Sequence, residues 1–283
     1  MSLSSLPVEH ISDTAFLTAY YRAMESGRTD AHFHDPYAQI LAGERGENLA
    51  HAIPEGNSVA LGCAVRTCVI DELVLRTIAE DNIDTVLSLG AGLDTRPYRL
   101  SLPSSLCWID ADLPAVLTYK TEKLDTFQPR CLLRSVPLDL TNQVDTQTFF
   151  QSIGTTANRV LVITEGLLVY MSSEQVADLA KDLHARSPFR WWVTDLSSPA
   201  ALQQIQKVMA KTLGNDGVTL RFAPEEGTGF FQLYGWNAVE FRSFFEEVQR
   251  LNRGGLPQEV MAQLSPENWE MLRRMSGFVL LTR

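Results

Sequence analysis

Short apolar runs alternate with longer amphipathic stretches along this chain, and the alternation predicts strands separated by helices. The six predicted strands cover residues 85–89, 106–109, 131–136, 159–164, 190–194 and 277–283. The main predicted helices cover residues 58–80, 113–126, 143–153, 173–187 and 197–213. Such an order is typical of an α/β protein whose parallel sheet carries helices on its faces.

The domain organisation follows from the same pattern. No repeat or low-complexity linker interrupts the chain, so we expect a single domain over residues 1–283. Its first part, residues 1–57, is mostly helical and is expected to form a lid over the α/β core of residues 58–283. We expect an insertion in that core at about residues 197–265, and a final antiparallel strand that completes a mostly parallel seven-stranded sheet.

A glycine or an acidic residue follows several predicted strands. Gly90, Asp112, Asp139 and Glu165 all occupy such positions. Ligands of open α/β sheets bind beyond the carboxyl ends of the strands, so we expect these four residues to line one crevice. Turns and helix caps are the alternative role for such residues, because Asp residues also serve in both.

Gly90 and Gly92 form a Gly-x-Gly turn between a strand and a helix, which suits close approach of the backbone to a ligand. Asp112 lies twenty residues after Gly92, where a carboxylate accepts hydrogen bonds from a ribose, and Asp110 is the alternative acceptor. Thr95 replaces the small residue of the dinucleotide fingerprint, and Asp94 is expected to repel a pyrophosphate. These features favour S-adenosylmethionine over a nicotinamide dinucleotide.

The amino-acid composition limits the kinds of molecule that the protein is expected to bind. The 283 residues carry a formal net charge of −10 without a run of Lys or Arg, which argues against nucleic acid and anionic membranes as partners. No apolar run has the length of a membrane span and no signal-peptide pattern is present, so we expect a cytoplasmic protein. The four cysteines form no Cys-x-x-Cys pair, and His32 and His34 lack companion ligands, so no metal site is predicted.

Several segments together resemble the leucine carboxyl methyltransferase family, from about residue 14 to about residue 245. The most specific is Gly-Ala-Gly-Leu-Asp-Thr-Arg at residues 90–96; shorter matches lie at residues 35–38, 110–114, 136–140 and 164–171. The resemblance implies a Rossmann-like fold that uses S-adenosylmethionine. The spacing is similar to the bacterial branch, labelled as O-methyltransferases of polyketide biosynthesis, rather than to the members that methylate a protein phosphatase.

The resemblance also implies roles for individual residues. Arg66 would bind the methionine carboxylate of the cofactor, and Glu165 would face the same methionyl end. The remaining cofactor contacts that it implies or that the spacing suggests are Gly90 and Gly92 in the loop, Asp112 or Asp110 at the ribose, and Asp139 with Leu140 at the adenine. Tyr170 and Arg22 are the candidates for contact with the acceptor oxygen.

The acceptor is expected to be the carboxylate or an acidic hydroxyl of a small molecule. Aromatic residues of the N-terminal and 200–240 regions are candidates for its apolar pocket, although ordinary core packing is the expected role of most of them: Tyr20, Tyr21, Phe33, Phe222, Phe230, Phe231, Tyr234 and Trp236. Two alternatives remain at this stage, an NAD(P)-dependent oxidoreductase and a protein that binds S-adenosylmethionine without turnover. The sequence makes no prediction of oligomeric state.

Overall fold

A seven-stranded sheet forms the centre of the molecule. The structure is a computed structural model that describes residues 10–53, 56–213, 219–254 and 263–283. The strands are β1 (Thr85–Leu89), β2 (Cys107–Asp112), β3 (Leu132–Pro137), β4 (Val160–Thr164), β5 (Phe189–Ser197), β6 (Asn237–Ser243) and β7 (Ser276–Thr282). Their order across the sheet is β3-β2-β1-β4-β5-β7-β6.

The direction of the strands agrees with the prediction. The pairs β1–β2, β1–β4, β2–β3 and β4–β5 are parallel, whereas β7 is antiparallel to both β5 and β6. Among the described strands, β7 is therefore the one that runs against the rest. The mostly parallel seven-stranded sheet with an antiparallel strand near the C-terminus is confirmed.

Helices surround the sheet. They are α1 (His10–Ser26), α2 (Ala38–His51), α3 (Gly56–Glu80), α4 (Arg96–Arg99), α5 (Pro114–Leu124), α6 (Gln143–Thr156), α7 (Ser173–His184), α8 (Pro199–Leu213), α9 (Gly229–Gln232), α10 (Phe244–Arg250) and α11 (Pro266–Met275). A short 3₁₀ turn at Leu168–Tyr170 follows β4. No helix in the described part of the chain combines the length and apolar character that crossing a membrane requires.

Both faces of the sheet are covered, which explains why its central strands are apolar without alternation. Leu87 and Val162 belong to the core beneath α6 and α7, whereas Val86 and Leu161 pack with α3 on the opposite face. All five residues of β1, and all five of β4, are buried. The sequence analysis did not locate β6, because this strand lies at the edge of the sheet and its residues are mostly exposed or half-buried.

The N-terminal helices pack against the carboxyl-end side of β1 and β2. Phe16 of α1 and Leu41 of α2 share a core cluster with Leu93 of the glycine loop and with Tyr119 of α5. The Tyr119 hydroxyl donates a hydrogen bond to the Leu41 carbonyl at 2.9 Å. The described helices of the expected lid are therefore fastened to the loop that follows β1.

Candidate functional site

One cavity of about 930 Å³ opens at the carboxyl ends of β1, β2 and β4. It brings together residues that are far apart in the sequence. Of the sequence-predicted site residues, those that line it are Arg22, Arg66, Gly90, Gly92, Asp112, Asp139, Leu140, Glu165 and Tyr170. Asp110 does not line it.

The glycine loop forms one wall of this cavity. Gly90 and Gly92 have φ of +61° and +51°, a region that residues with a Cβ atom rarely adopt. The Gly90 amide donates to the Ala111 carbonyl at 2.8 Å, which fastens the loop to β2. A Cβ atom at Gly90 would lie 2.8 Å from the Leu167 side chain. The backbone conformation is therefore what requires glycine here, since the Leu167 contact is with the end of a flexible side chain.

Asp112 is held at the end of β2 by two backbone amides. Its Oδ2 accepts from the Gly92 amide and its Oδ1 from the Leu113 amide, each at 2.6 Å. Burial raises the pKa of this carboxyl, and the two amides oppose that rise. The alternative that Asp112 is the N-cap of α5 is not what the structure shows, because Leu113 occupies the N-cap position. The side chain instead connects the glycine loop to the end of β2.

The prediction of Asp110 as the alternative ribose acceptor requires a correction. Its side chain is 1% exposed and accepts hydrogen bonds from Lys120 at 2.6 Å and from the Trp108 indole at 3.0 Å. A carboxylate buried on this side of β2 needs such partners, because an unpaired buried charge is costly. Asp110 is thus committed to an ion pair outside the cavity, and it is not positioned as the alternative ribose acceptor.

Asp139 and Leu140 lie at the exposed end of the cavity. The Asp139 Oδ1 accepts hydrogen bonds from the Thr141 amide at 2.9 Å and from the Thr141 hydroxyl at 2.7 Å. These bonds form the Asx turn that the sequence analysis considered as an alternative. Because Asp139 also lines the cavity, the turn fixes its position at the rim.

Glu165 lies between two arginines at the end of β4. Its Oε1 is 2.8 Å from Arg66 Nε, and its Oε2 is 2.7 Å from Arg96 Nη1. Burial opposes ionisation, but the two guanidinium groups hold the pKa of Glu165 below its ordinary value. Arg66 lines the cavity while its Nε is engaged in this ion pair.

Behind Glu165 and its two arginines lies a second group of charged side chains, which the sequence analysis did not predict. Arg96 also contacts Asp71 at 2.7 Å and Asp94 at 3.1 Å, and Arg99 contacts Asp71 from the other side. Arg96 holds the pKa of the buried Asp94 at about 2. The charge of Asp94 is balanced by Arg96, so the expected repulsion of a pyrophosphate does not follow from it. The one signal for Asp71 was a carboxylate within the apolar stretch of α3.

Asp195 of β5 is another residue that the sequence analysis did not select. Its Oδ1 accepts from the Gly166 amide at 2.6 Å, and its Oδ2 lies 4.0 Å from Arg66 Nη1. Burial raises its pKa, against the attraction of Arg66. The same signal that identified Glu165, an acidic residue after an apolar strand run, also applied to Asp195.

The two candidates for acceptor contact have different surroundings. Tyr170 lines the cavity, and its hydroxyl is 3.4 Å from the Thr14 hydroxyl. Burial raises the pKa of Tyr170, so it stays protonated at neutral pH. Arg22 also lines the cavity, but its Nε donates to Asp35 at 2.8 Å and its Nη2 to the Leu93 carbonyl at 2.6 Å. These bonds attach α1 to the glycine loop, which is a positioning role.

The aromatic residues considered for an apolar pocket lie outside the cavity, in agreement with core packing as the expected role of most of them. None of the eight aromatic residues considered lines the cavity. Phe222, Phe230, Phe231 and Trp236 lie in the core beneath the sheet instead. The aromatic residues that do line the cavity are Tyr170, Phe244, Phe245 and Phe278. Phe244 and Phe245 follow β6, which the sequence analysis did not locate, and Phe278 lies in the predicted strand β7.

The site fits S-adenosylmethionine on its own geometry. The cofactor combines an adenosine with an amino-acid group, so it needs a ribose acceptor at one end and opposite charges at the other. Asp112 provides an oriented carboxylate beside the glycine loop, and Arg66 with Glu165 provides the charged pair. No cluster of three or more His, Cys, Asp or Glu side chains suited to a metal ion occurs within the described residues.

Comparison with known proteins identifies the family. The sequence profile of the leucine carboxyl methyltransferase family matches residues 15–184. Two relatives from Frankia alni, each named as a candidate S-adenosyl-L-methionine-dependent methyltransferase, are 30% identical over 271 residues and 28% identical over 256 residues. The first match covers 92% of this chain and 83% of the relative, and the second 81% and 83%.

Other relatives match over a shorter span. One from Mycobacteroides abscessus, with the same kind of name, is 33% identical over 184 residues, or 58% of this chain and 57% of its own length. This chain therefore spans little more than half of that relative.

The fold has solved counterparts. A DUF574 family protein from Streptomyces avermitilis has a TM-score of 0.58 and 13% identity, and covers 95% of this chain and 97% of its own. A candidate methyltransferase from Thermobifida fusca has a TM-score of 0.56 and 17% identity, over 94% of each chain. With the family match over more than half of its length, this chain belongs to the leucine carboxyl methyltransferase family and is an S-adenosylmethionine-dependent methyltransferase.

Proposed function

We propose that this enzyme methylates an oxygen atom, on the carboxylate or an acidic hydroxyl of a small molecule. The observation that carries the proposal is the distribution of charge in the cavity. Its charged side chains gather around the glycine loop and the strand ends, and neither Lys nor His occurs among its described lining residues. A carboxylate acceptor is already ionised at neutral pH, so it needs no such base.

We assign the cofactor contacts to the loop and strand ends. Asp112 accepts from the ribose hydroxyls, Asp139 and Leu140 frame the adenine, and the backbone at Gly90 and Gly92 approaches the methionyl part. Arg66, which lines the cavity, binds the methionine carboxylate, and Glu165 faces the methionine ammonium. Support comes from the common cavity that these residues line.

When bound, the cofactor supplies a methyl group on a positively charged sulfur, and transfer is an in-line displacement by the acceptor oxygen. The chain contributes position and a dry environment. Tyr170, protonated at neutral pH because burial raises its pKa, donates a hydrogen bond that orients the acceptor oxygen. Arg22 acts through the loop, since it joins α1 to the Leu93 carbonyl.

The experiment is transfer of labelled methyl groups from S-adenosylmethionine to acids of low molecular weight. A methyl ester releases volatile methanol in mild alkali, so base-labile label is the expected result. Base-stable label on oxygen would leave a hydroxyl acceptor, and label on nitrogen or carbon would contradict the proposal. A protein that binds S-adenosylhomocysteine but never forms it from S-adenosylmethionine would instead be a non-catalytic binder.

A Tyr170→Phe variant tests the assigned contact. It removes one hydrogen bond to the acceptor and should lower kcat/KM about tenfold, with unchanged affinity for S-adenosylhomocysteine. Tyr234→Phe is the matched control, because Tyr234 packs against the core beneath the sheet and does not line the cavity. Equal rates for Tyr170→Phe and Tyr234→Phe would remove Tyr170 from the site.

A further inference from the structure

The cavity extends well beyond the residues that we assign to the cofactor. Its far end is bounded by α8, by the start of α10 and by the end of α11. The side chains there include Ile205, Phe244, Phe245, Leu272 and Met275. We call this part of the cavity the apolar arm.

Side chains of the apolar arm are less covered than ordinary core residues. Ile205 is 40% exposed, and Phe244, Phe245, Leu272 and Met275 are all half-buried. Leu220 and Ala201, at 5% and 7% exposure, form its floor. Concave surface formed by contiguous, partly exposed apolar side chains is characteristic of ligand sites.

The apolar arm has no charged lining residue among those described. Its polar lining consists of Gln204, Ser197 and Ser276. The charged side chains of the cavity lie instead around the glycine loop and the strand ends, as Arg66, Asp112 and Glu165 do. An acceptor with a second charge, such as a phosphate or a dicarboxylic acid, would find no counter-ion for that charge among the described residues of the apolar arm, and burying an unpaired charge is costly.

From this arrangement we propose that the methyl acceptor is an amphiphilic monocarboxylic acid whose apolar body occupies the apolar arm. The inference rests on the oxygen-directed transfer proposed above. The carboxylate lies at the charged end, near Tyr170, and the hydrocarbon part extends toward α10 and α11. The acceptor carboxylate forms a bond to the methyl carbon, the bond from that carbon to sulfur breaks, and the products are a methyl ester and neutral S-adenosylhomocysteine.

The test is a chain-length series of straight-chain acids from butanoate to hexadecanoate, with succinate as the doubly charged comparison. Each added methylene that enters the apolar arm should lower KM about fourfold, which corresponds to about 0.8 kcal/mol. Succinate should be a poor acceptor. A KM that does not change with chain length, or succinate used as well as a long-chain acid, would overturn the inference.

Two neighbouring residues of α11 provide a matched pair of variants. Leu272 lines the cavity, whereas Met271 is 59% exposed and does not. Leu272→Gln should raise KM for dodecanoate about tenfold and leave KM for butanoate unchanged, because only the longer acid reaches it. Met271→Gln should change neither value. An equal effect of Leu272→Gln on both acids would contradict the inference.

A binding measurement separates this inference from the proposed function. Calorimetry with dodecanoate and with succinate, in the presence of S-adenosylhomocysteine, requires no turnover. Tight binding of dodecanoate without any base-labile product would refute carboxyl methylation and retain the apolar arm as a binding site. Base-labile ester formed on polar acids alone would retain the proposed function and refute the apolar acceptor. Failure of dodecanoate to bind would overturn the inference outright.

Discussion

At the scale of single residues, the cavity depends on charges that are buried in pairs. Glu165, Arg66 and Arg96 form a continuous row, and Asp71 with Asp94 completes it from behind the loop. Removing one member of a buried pair leaves an uncompensated charge, which costs more than the pair itself contributes. Variants at this row therefore change stability as well as binding, and each test needs a readout for both.

A variant at Asp112 tests cofactor binding. Asp112→Ala removes the proposed acceptor for the ribose hydroxyls together with the bonds from the Gly92 and Leu113 amides, and hydrogen bonds to charged groups contribute roughly 1.5–3 kcal/mol. We expect affinity for S-adenosylhomocysteine, measured by calorimetry, to fall at least about tenfold while the circular dichroism spectrum stays unchanged. The control is Asp125→Ala, an exposed residue at the end of α5 outside the cavity. Equal affinities for the two variants would exclude Asp112 from the cofactor site.

The lowered pKa of Asp94 should make the stability of the fold depend on pH in the acidic range. Its folded pKa, about 2, is below the ordinary value of 3.8, because Arg96 balances it. A depressed pKa stabilises the fold above about pH 4, and the contribution is lost as the pH falls toward about 2. Asp94→Asn should lower the free energy of unfolding by about 2 kcal/mol at neutral pH. In urea titrations, this difference from the unmodified protein should shrink below about pH 4. A difference that grows on acidification would contradict the assignment.

At the scale of elements, α1 and α2 approach each other closely at a glycine. A Cβ atom at Gly46 would lie 2.6 Å from the Phe16 carbonyl oxygen and 3.0 Å from Ala42 Cβ. The contact involves backbone, so a rotamer change cannot relieve it. This crossing, together with Arg22, sets the position of α1 beside the glycine loop. A close helix crossing and a buried guanidinium thus both contribute to the position of the N-terminal helices.

Gly46→Ala should therefore destabilise the protein by about 1–3 kcal/mol, the usual cost of overpacking. Gly154→Ala in α6 is the matched control, since its nearest neighbours, at 3.5–3.6 Å, belong to the flexible Arg186 side chain. In a helix, that change should stabilise by roughly 0.5–1 kcal/mol because alanine has the higher propensity. Chemical denaturation compares the two variants. Loss of stability in both would show that helix crossing is not the cause.

At the scale of the whole molecule, the cavity is lined by residues of the N-terminal helices, the strand ends and α11. A ligand in the cavity therefore contacts parts of the protein that are distant in the chain. A ligand that binds the folded protein and not the unfolded chain stabilises the fold by mass action. The cofactor site is assembled by tertiary structure from at least five elements. We therefore expect the unfolded chain to have no comparable affinity.

S-adenosylhomocysteine at one hundred times its Kd should raise the free energy of unfolding by about 2.7 kcal/mol. Asp112→Ala at the same ligand concentration should show much less of this increase. Urea denaturation with and without ligand measures both values. A similar increase with NADH would contradict the choice of cofactor.

The sequence alone determined the strand–helix order apart from the region of β6, together with the glycine loop, the cofactor class and the family. The apolar run at residues 85–89 is a local signal, because both faces of the strand are buried, and it located β1 to the residue. The positions after the strands were informative because parallel topology brings all carboxyl ends to one edge. Residues such as Asp112 and Glu165 were predictable for that reason.

Tertiary structure decided the partners of each charge and the shape of the acceptor end. Asp110 and Asp112 are two residues apart, yet Lys120 takes one away from the cavity and backbone amides orient the other toward it. Edge strand β6 has no fully apolar run, so neither it nor the aromatic residues that follow it could be placed in advance. Pairing between β5, β7 and β6, together with α8 and α11, created the apolar arm. The hydrophobic pattern of a segment indicates which of its residues are buried, but it does not indicate which distant segment they pack against.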